Sequence, residues 1–163
     1  MDHKVRLAVR LALLVLIMTA IFVFSSQPAD ESQKLSDGLL DRVEIYFGFL
    51  FELGGDPGKS IRKYAHFMEY MSMGVFSALF FAELYISAPK RLFRTGIVSI
   101  ALCVLYACSD EIHQLFVPGR ACRAADVCTD GAGALIGTAA VLAYYKLKIR
   151  KAGNSNNGYK PFR

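Results

Sequence analysis

The 163 residues contain no GxSxG nucleophile elbow, no P-loop and no dinucleotide-binding fingerprint. The usual sequence supports for serine-hydrolase, phosphate-cradling and Rossmann chemistry are therefore missing. There is no internal repeat. The four cysteines, Cys103, Cys108, Cys122 and Cys128, show no CxxC spacing, which argues against a zinc finger or a disulfide framework. Two of them fall within an apolar run, where a thiol behaves as a small buried hydrophobe. A Cys122–Cys128 bridge stays open only if that stretch faces an oxidising compartment. No basic stripe runs along a polar helix either. The formal charge is +5, but the cations collect at the ends of apolar runs, which speaks for a membrane partner and against nucleic acid.

What the chain has in surplus is apolar side chains. A hydrophobic content of 54% and a positive mean hydropathy exceed what a soluble core of this size needs. Four runs are long enough to cross a bilayer, each needing roughly 20 residues. They are Leu7 to Phe24, then Arg62 to Ile86, Thr95 to Phe116 and Asp126 to Tyr145. Arg10 interrupts the first run, but its long side chain can snorkel to the interface. A cleaved secretory signal is the alternative for this run, and Phe24-Ser25-Ser26-Gln27-Pro28 lacks a small-x-small cleavage site.

The expected fold class is all-α: a polytopic membrane bundle of four transmembrane helices formed by residues 1–150 as a single domain. Between the first two crossings Leu35, Leu39, Leu40, Val43, Phe47 and Leu50 recur at helical spacing against Asp37, Asp41 and Glu44. That pattern predicts an amphipathic interfacial helix. Ala88-Pro89-Lys90-Arg91 breaks the chain between the second and third crossings, and Val117-Pro118-Gly119-Arg120 suits a type II turn between the third and fourth. Residues 151–163, rich in Gly and Asn, read as a disordered basic tail.

Basic residues orient the bundle. Lys4, Arg6 and Arg10, then Lys90, Arg91 and Arg94, then Lys146, Lys148, Arg150, Lys151, Lys160 and Arg163 make 12 of the 19, against only Asp2 and Glu83 on the same side. By the positive-inside rule both termini are expected in the cytoplasm of a multi-pass plasma-membrane protein.

That topology brings scattered polar residues to one face, the outer one. On the second helix Arg62, His66 and Glu69 fall at i, i+4 and i+7, within about 60° of one another. On the third, Asp110, His113 and Gln114 share a face with Tyr106, while Glu111 points about 100° away. On the fourth, Asp126, Asp130, Gly133 and Gly137 form one stripe. Glu69 and Asp110 lie about 10 Å down their helix axes, inside the hydrocarbon zone, where a carboxylate must face the bundle interior and find a partner. Glycines 133 and 137 permit close helix approach.

The expected ligand-binding set is Arg62, Lys63, His66, Asp110, Glu111, His113, Gln114, Arg120 and Asp126. Guanidinium forks beside histidine and carboxylates suit an anionic head group. The His66/Glu69 and Asp110/His113 pairs at i, i+3 could chelate a divalent ion, but neighbouring arginines compete for those carboxylates, so neither metal nor cofactor is expected. For catalysis the candidates are His66, Glu69, Asp110, Glu111 and His113. Ser25, Ser26 and Ser109 are nucleophile candidates by location only. The plainer alternative is a polar network in which Arg62, Lys63, Arg120 and Arg123 neutralise Glu69, Asp110, Glu111 and Asp126 and fix helix register.

Four strings carry a resemblance: Phe24-Ser25-Ser26-Gln27-Pro28, Arg62-Lys63-Tyr64-Ala65-His66-Phe67-Met68-Glu69-Tyr70, Asp110 to Arg120 (DEIHQLFVPGR), and Asp126 to Gly137. Together they resemble the VanZ-like family over about residues 24–140. The resemblance implies a bacterial inner-membrane protein, related to an accessory protein of low-level teicoplanin resistance, with His66, Asp110, Glu111, His113, Gln114, Arg120 and Asp126 as signature polar residues. Ala121-Cys122-Arg123 departs from it, since relatives often carry small residues or serine after the arginine. The expected function is binding of an anionic lipid-linked or envelope precursor, with membrane lipids as partners. A membrane-embedded enzyme acting at a lipid head group is the alternative. A transporter is the third class, for which paired broken helices are wanting.

Overall fold

The computed structural model describes residues 2–32, 34, 57–85 and 91–156. Four helices make up the bundle: α1 (His3–Ser25), α2 (Pro57–Tyr85), α3 (Arg91–Gln114) and α4 (Ala124–Asn156). Each contains a stretch long and apolar enough to cross a membrane, so the chain is a multi-pass membrane protein. The amphipathic segment expected around Leu35 to Leu50 lies outside the described residues. So do residues 157–163 of the expected tail, although α4 itself runs past Lys151 to Asn156. At 33 residues, α4 is about 50 Å long at 1.5 Å per residue, well beyond the ~30 Å hydrocarbon core. Part of this helix therefore extends beyond the hydrocarbon core, and its C-terminal part carries Lys146, Lys148, Arg150 and Lys151.

Outward-facing positions are apolar: Leu16, Phe93, Leu105 and Phe116 are each more than 60% exposed, as lipid-facing surface should be. The interior is correspondingly narrow and rich in small and polar residues. On α1 only Leu14, Ile21 and Ser25 are buried; at i, i+7 and i+11 they form one stripe about 40° wide. On α3 Thr95, Ser99, Cys103, Ala107, Asp110 and Gln114 are buried at intervals of three and four, a single helical face, with Glu111 buried beside it. All four cysteines are unbridged.

The most extensive packing joins α2 to α4. Gly74 meets the Ala134 backbone, while Gly133 and Gly137 sit against the carbonyl oxygens of Phe67 and Met71 so closely that a Cβ would overlap them. Such backbone-to-backbone approach is the association mode available where lipid removes the hydrophobic drive. Thr138 Oγ1 donates to the Gly74 carbonyl across the same seam at 3.3 Å.

The two ends of the bundle are tied differently. At the end holding the start of α1, Glu83 of α2 receives His3 Nδ1 at 2.8 Å, Arg6 Nε at 2.9 Å and Arg10 Nη1 at 2.9 Å. Arg10 also donates to the Leu79 carbonyl and to the Tyr145 hydroxyl, so it links α1 to α2 and α4 rather than simply snorkelling to water. At the opposite end, the Arg120 amide donates to the Val117 carbonyl with Gly119 at φ 74°, the closure expected of a type II turn. That turn docks on the end of α1 through the Ala29 amide and the Pro118 carbonyl, 3.2 Å apart.

Candidate functional site

The end of α1, the start of α2, the end of α3 and the start of α4 meet at the turn-bearing end of the bundle. Asp110, one helical turn from the end of α3, is 4% exposed. Its Oδ2 accepts the Ser25 hydroxyl at 2.8 Å and the Gln114 amide at 3.1 Å. Two neutral donors thus hold this carboxylate, and among the described residues no cation pairs with it.

Arg120, one of the cations of the register-fixing alternative, makes no salt bridge to Asp110. Its Nε donates to the Gln27 carbonyl at 3.0 Å and its Nη2 to the Phe24 carbonyl at 3.1 Å. The physical reason is local. Phe24 lies in the last turn of α1, whose carbonyl end carries the negative end of the helix dipole, Gln27 lies two residues past the helix, and the turn sets the guanidinium beside both. Two of its five N–H donors are used and three remain. Burial pulls Arg120 below the ordinary arginine pKa, and the guanidinium of Arg62 pulls it further, against the opposing fields of Asp110, Glu111 and Glu69. Two like charges therefore share this end of the bundle.

His66 Nδ1 lies 3.7 Å from Glu69 Oε2, too long for a hydrogen bond, and the nitrogen is buried without a partner among the described residues. Tyr70, wholly buried, likewise has no partner for its hydroxyl, which stands in the fields of Asp110, Asp130 and Glu69. Glu111, expected off the main face, is 3% exposed. The chain after α3 folds back over it, and its Oε2 accepts the Arg123 amide at 2.7 Å, placing negative charge at the N-terminus of α4, where the helix dipole favours it. Asp126 sits in the first turn of that helix, half-buried. Lys63 is exposed and joins none of these contacts.

His113 stacks on Phe22, ring centroids 4.7 Å apart, and its Nε2 lies 3.1 Å from Ser26 Oγ. Ser26 also reaches the Phe22 carbonyl at 2.6 Å. A carbonyl only accepts, so it takes the single hydroxyl proton, and His113 Nε2–H must be the donor to Ser26. That polarity is the reverse of an activated nucleophile beside a base. Ser109 donates to the Tyr106 carbonyl on the exposed side of α3 and stands apart from the cluster.

The site therefore gathers Arg62, His66, Asp110, Glu111, His113, Gln114, Arg120 and Asp126 from the expected set, with Glu69 beside them. It adds three residues whose importance the sequence pattern did not reveal. Ser25 is the partner of Asp110. Asp130, noted only as part of the α4 stripe, is 2% exposed. Tyr70 follows Glu69 and turns fully inward. The signal for Ser25 was its place in the Phe24 to Pro28 string at the end of the first apolar run. Among the described residues no three His, Cys, Asp or Glu side chains are grouped to hold a metal ion.

A family model described as VanZ/LLP1 matches residues 10–145. That span contains all four helices' contributions to the site. No curated protein and no solved structure matches the chain.

Proposed function

Given that the chain belongs to the VanZ/LLP1 family, we propose that it is a bacterial envelope protein whose site faces the outer side of the plasma membrane and binds an anionic lipid-linked or envelope ligand. Both termini are then cytoplasmic. The basic residues on the Glu83 side, together with the basic C-terminal part of α4, support that orientation. A part in teicoplanin resistance is the biological reading that fits the family.

The observation that carries the proposal is the Arg62–Arg120 relationship. Two guanidiniums lie in each other's field, and one keeps three N–H donors after anchoring on the end of α1. A phosphate or carboxylate between them would relieve the repulsion and take the forked donors. Native mass spectrometry of lipids retained through gentle purification tests this. Wild type should carry an anionic species that an Arg62→Gln, Arg120→Gln double variant loses, whereas identical lipid sets in both would refute it.

An enzyme is the second reading, supported by the buried, unpartnered Nδ1 of His66 3.7 Å from Glu69. A small closure on substrate would turn that spacing into a histidine–carboxylate hydrogen bond, an arrangement used in general acid–base catalysis. In this version Arg62 and Arg120 stabilise charge developing on the head group. Turnover of a defined lipid head group, abolished in His66→Gln, would favour it over binding alone.

A further inference from the structure

We infer that the ligand is zwitterionic: a phosphate held by Arg62 and Arg120 with a primary ammonium nearby, held by Glu69 and Asp126. This rests on the proposed anionic site and narrows its occupant to a phosphoethanolamine-type head group.

The argument begins with how the chain treats charge at its two ends. At the opposite end Glu83 is met by two arginines, each at 2.9 Å, and a histidine at 2.8 Å, so where ion pairing is structural, the pairs are made. At the site they are not. Among the described residues no lysine or arginine side-chain nitrogen comes within 4.0 Å of Glu69, Asp110, Glu111, Asp126 or Asp130, and the nearest basic side chain is the His66 ring, 3.7 Å from Glu69. Arg120 meanwhile turns to backbone carbonyls. Ionisable groups of both signs thus gather at this end without a side-chain ion pair between a guanidinium and a carboxylate. Within a membrane such unpaired groups are costly unless something bridges them.

Ligand classes differ in how well they bridge. A purely anionic group would satisfy Arg62 and Arg120 but leave the acidic side chains beside them without a donor. A lone cation would leave the two guanidiniums repelling each other. A zwitterion answers both signs at once. The carboxylates it can reach are Glu69, whose side chain is 19% exposed, and the half-buried Asp126. Asp110 and Asp130, at 4% and 2%, are more deeply buried. The Tyr70 hydroxyl, wholly buried and unpartnered in the field of both, is a further donor available to a carboxylate that shifts to meet an ammonium. A primary ammonium presents three N–H donors, as lysine does, whereas a quaternary one presents none.

Native mass spectrometry of the full chain in mild detergent, titrated with phosphatidylethanolamine, phosphatidylcholine and phosphatidylglycerol of matched acyl chains, tests the inference. Phosphatidylethanolamine should bind about tenfold more tightly than the other two, roughly the weight of one charge-assisted hydrogen bond. Glu69→Gln with Asp126→Asn should bring it down to the phosphatidylglycerol level and leave phosphatidylglycerol unchanged. Phosphatidylglycerol binding wild type as well as or better than phosphatidylethanolamine, yet weakened by Arg62→Gln and Arg120→Gln, would overturn the zwitterion and leave the anionic site standing. Equal binding of all three lipids that ignores the arginine variants would overturn both. Displacement of phosphatidylethanolamine by soluble O-phosphoethanolamine would support a soluble ligand of this chemistry. Selective lipid binding that O-phosphoethanolamine cannot displace would support a lipid one.

Discussion

Ser25, the last residue of α1, gives its hydroxyl proton to Asp110 of α3 across 2.8 Å, with Ser25 fully buried and Asp110 nearly so. The bond ties the first helix to the third at the level where the site begins, and it fixes a carboxylate that, among the described residues, makes no ion pair with an arginine.

Ser25→Ala removes that donor and leaves Asp110 with Gln114 alone. Loss of one partner of a buried charged acceptor costs about 1–3 kcal/mol, so thermal unfolding in detergent should begin at clearly lower temperature. Ser26→Ala, at a half-buried position whose main acceptor lies in its own helix, should shift it much less. Equal melting of Ser25→Ala and wild type would show the bond to be unimportant.

A double-mutant cycle distinguishes the partners of Asp110. Directly bonded residues couple by about 0.5–3 kcal/mol, and independent ones add within about 0.5 kcal/mol. Ser25→Ala with Asp110→Asn should therefore be strongly non-additive. Arg120→Met with Asp110→Leu should be close to additive, because Arg120 bonds Phe24 and Gln27 instead. The double variant should still insert and fold but lose any teicoplanin tolerance the wild type confers, measured as growth at matched expression.

Gly137→Ala places a Cβ against the Met71 carbonyl in the α2–α4 seam, whereas Gly131→Ala meets only Val104 Cγ2 at 3.9 Å. Overpacking of this kind costs about 1–3 kcal/mol or more. Gly137→Ala should lower the yield of protein that migrates as a folded species in mild detergent, and Gly131→Ala should match wild type. Indistinguishable behaviour of the two would contradict the close approach.

Topology is checked by labelling. In a protein keeping Cys122 alone, this exposed residue should react with an impermeant thiol reagent in intact cells. With all native cysteines removed and a cysteine placed at Asn156, labelling should require permeabilisation. The opposite pattern would put the site in the cytoplasm.

Glu83→Gln leaves His3, Arg6 and Arg10 without the carboxylate that gathers them. Because Arg10 is mostly buried, the loss should exceed that of an exposed pair and reach about 1–3 kcal/mol. Chemical denaturation would show it as a lower midpoint with lipid binding at the opposite end retained.

Membrane class, the number of crossings and their approximate limits were legible in the sequence because they depend on local quantities: the length of an apolar run, the residues that break it and the charges that flank it. The faces of α2, α3 and α4 were legible for the same reason, since 3.6 residues per turn fixes which side chains share a stripe. Pro118-Gly119 announced its turn, since only glycine readily takes the positive φ required there. Partner choice was not legible. Whether Asp110 meets Arg120 or Ser25 depends on the rotation of α1 against α3. Arg120 turns from carboxylates to carbonyls because the turn delivers its guanidinium beside the carbonyl oxygens of Phe24 and Gln27, at and just beyond the end of α1. The inward turn of Tyr70 and Asp130, the cover over Glu111 and the clasp on Glu83 arise in the same way. Periodicity along one helix fixes directions about its own axis, whereas the pairing of charges requires the distances and rotations between helices that packing alone sets.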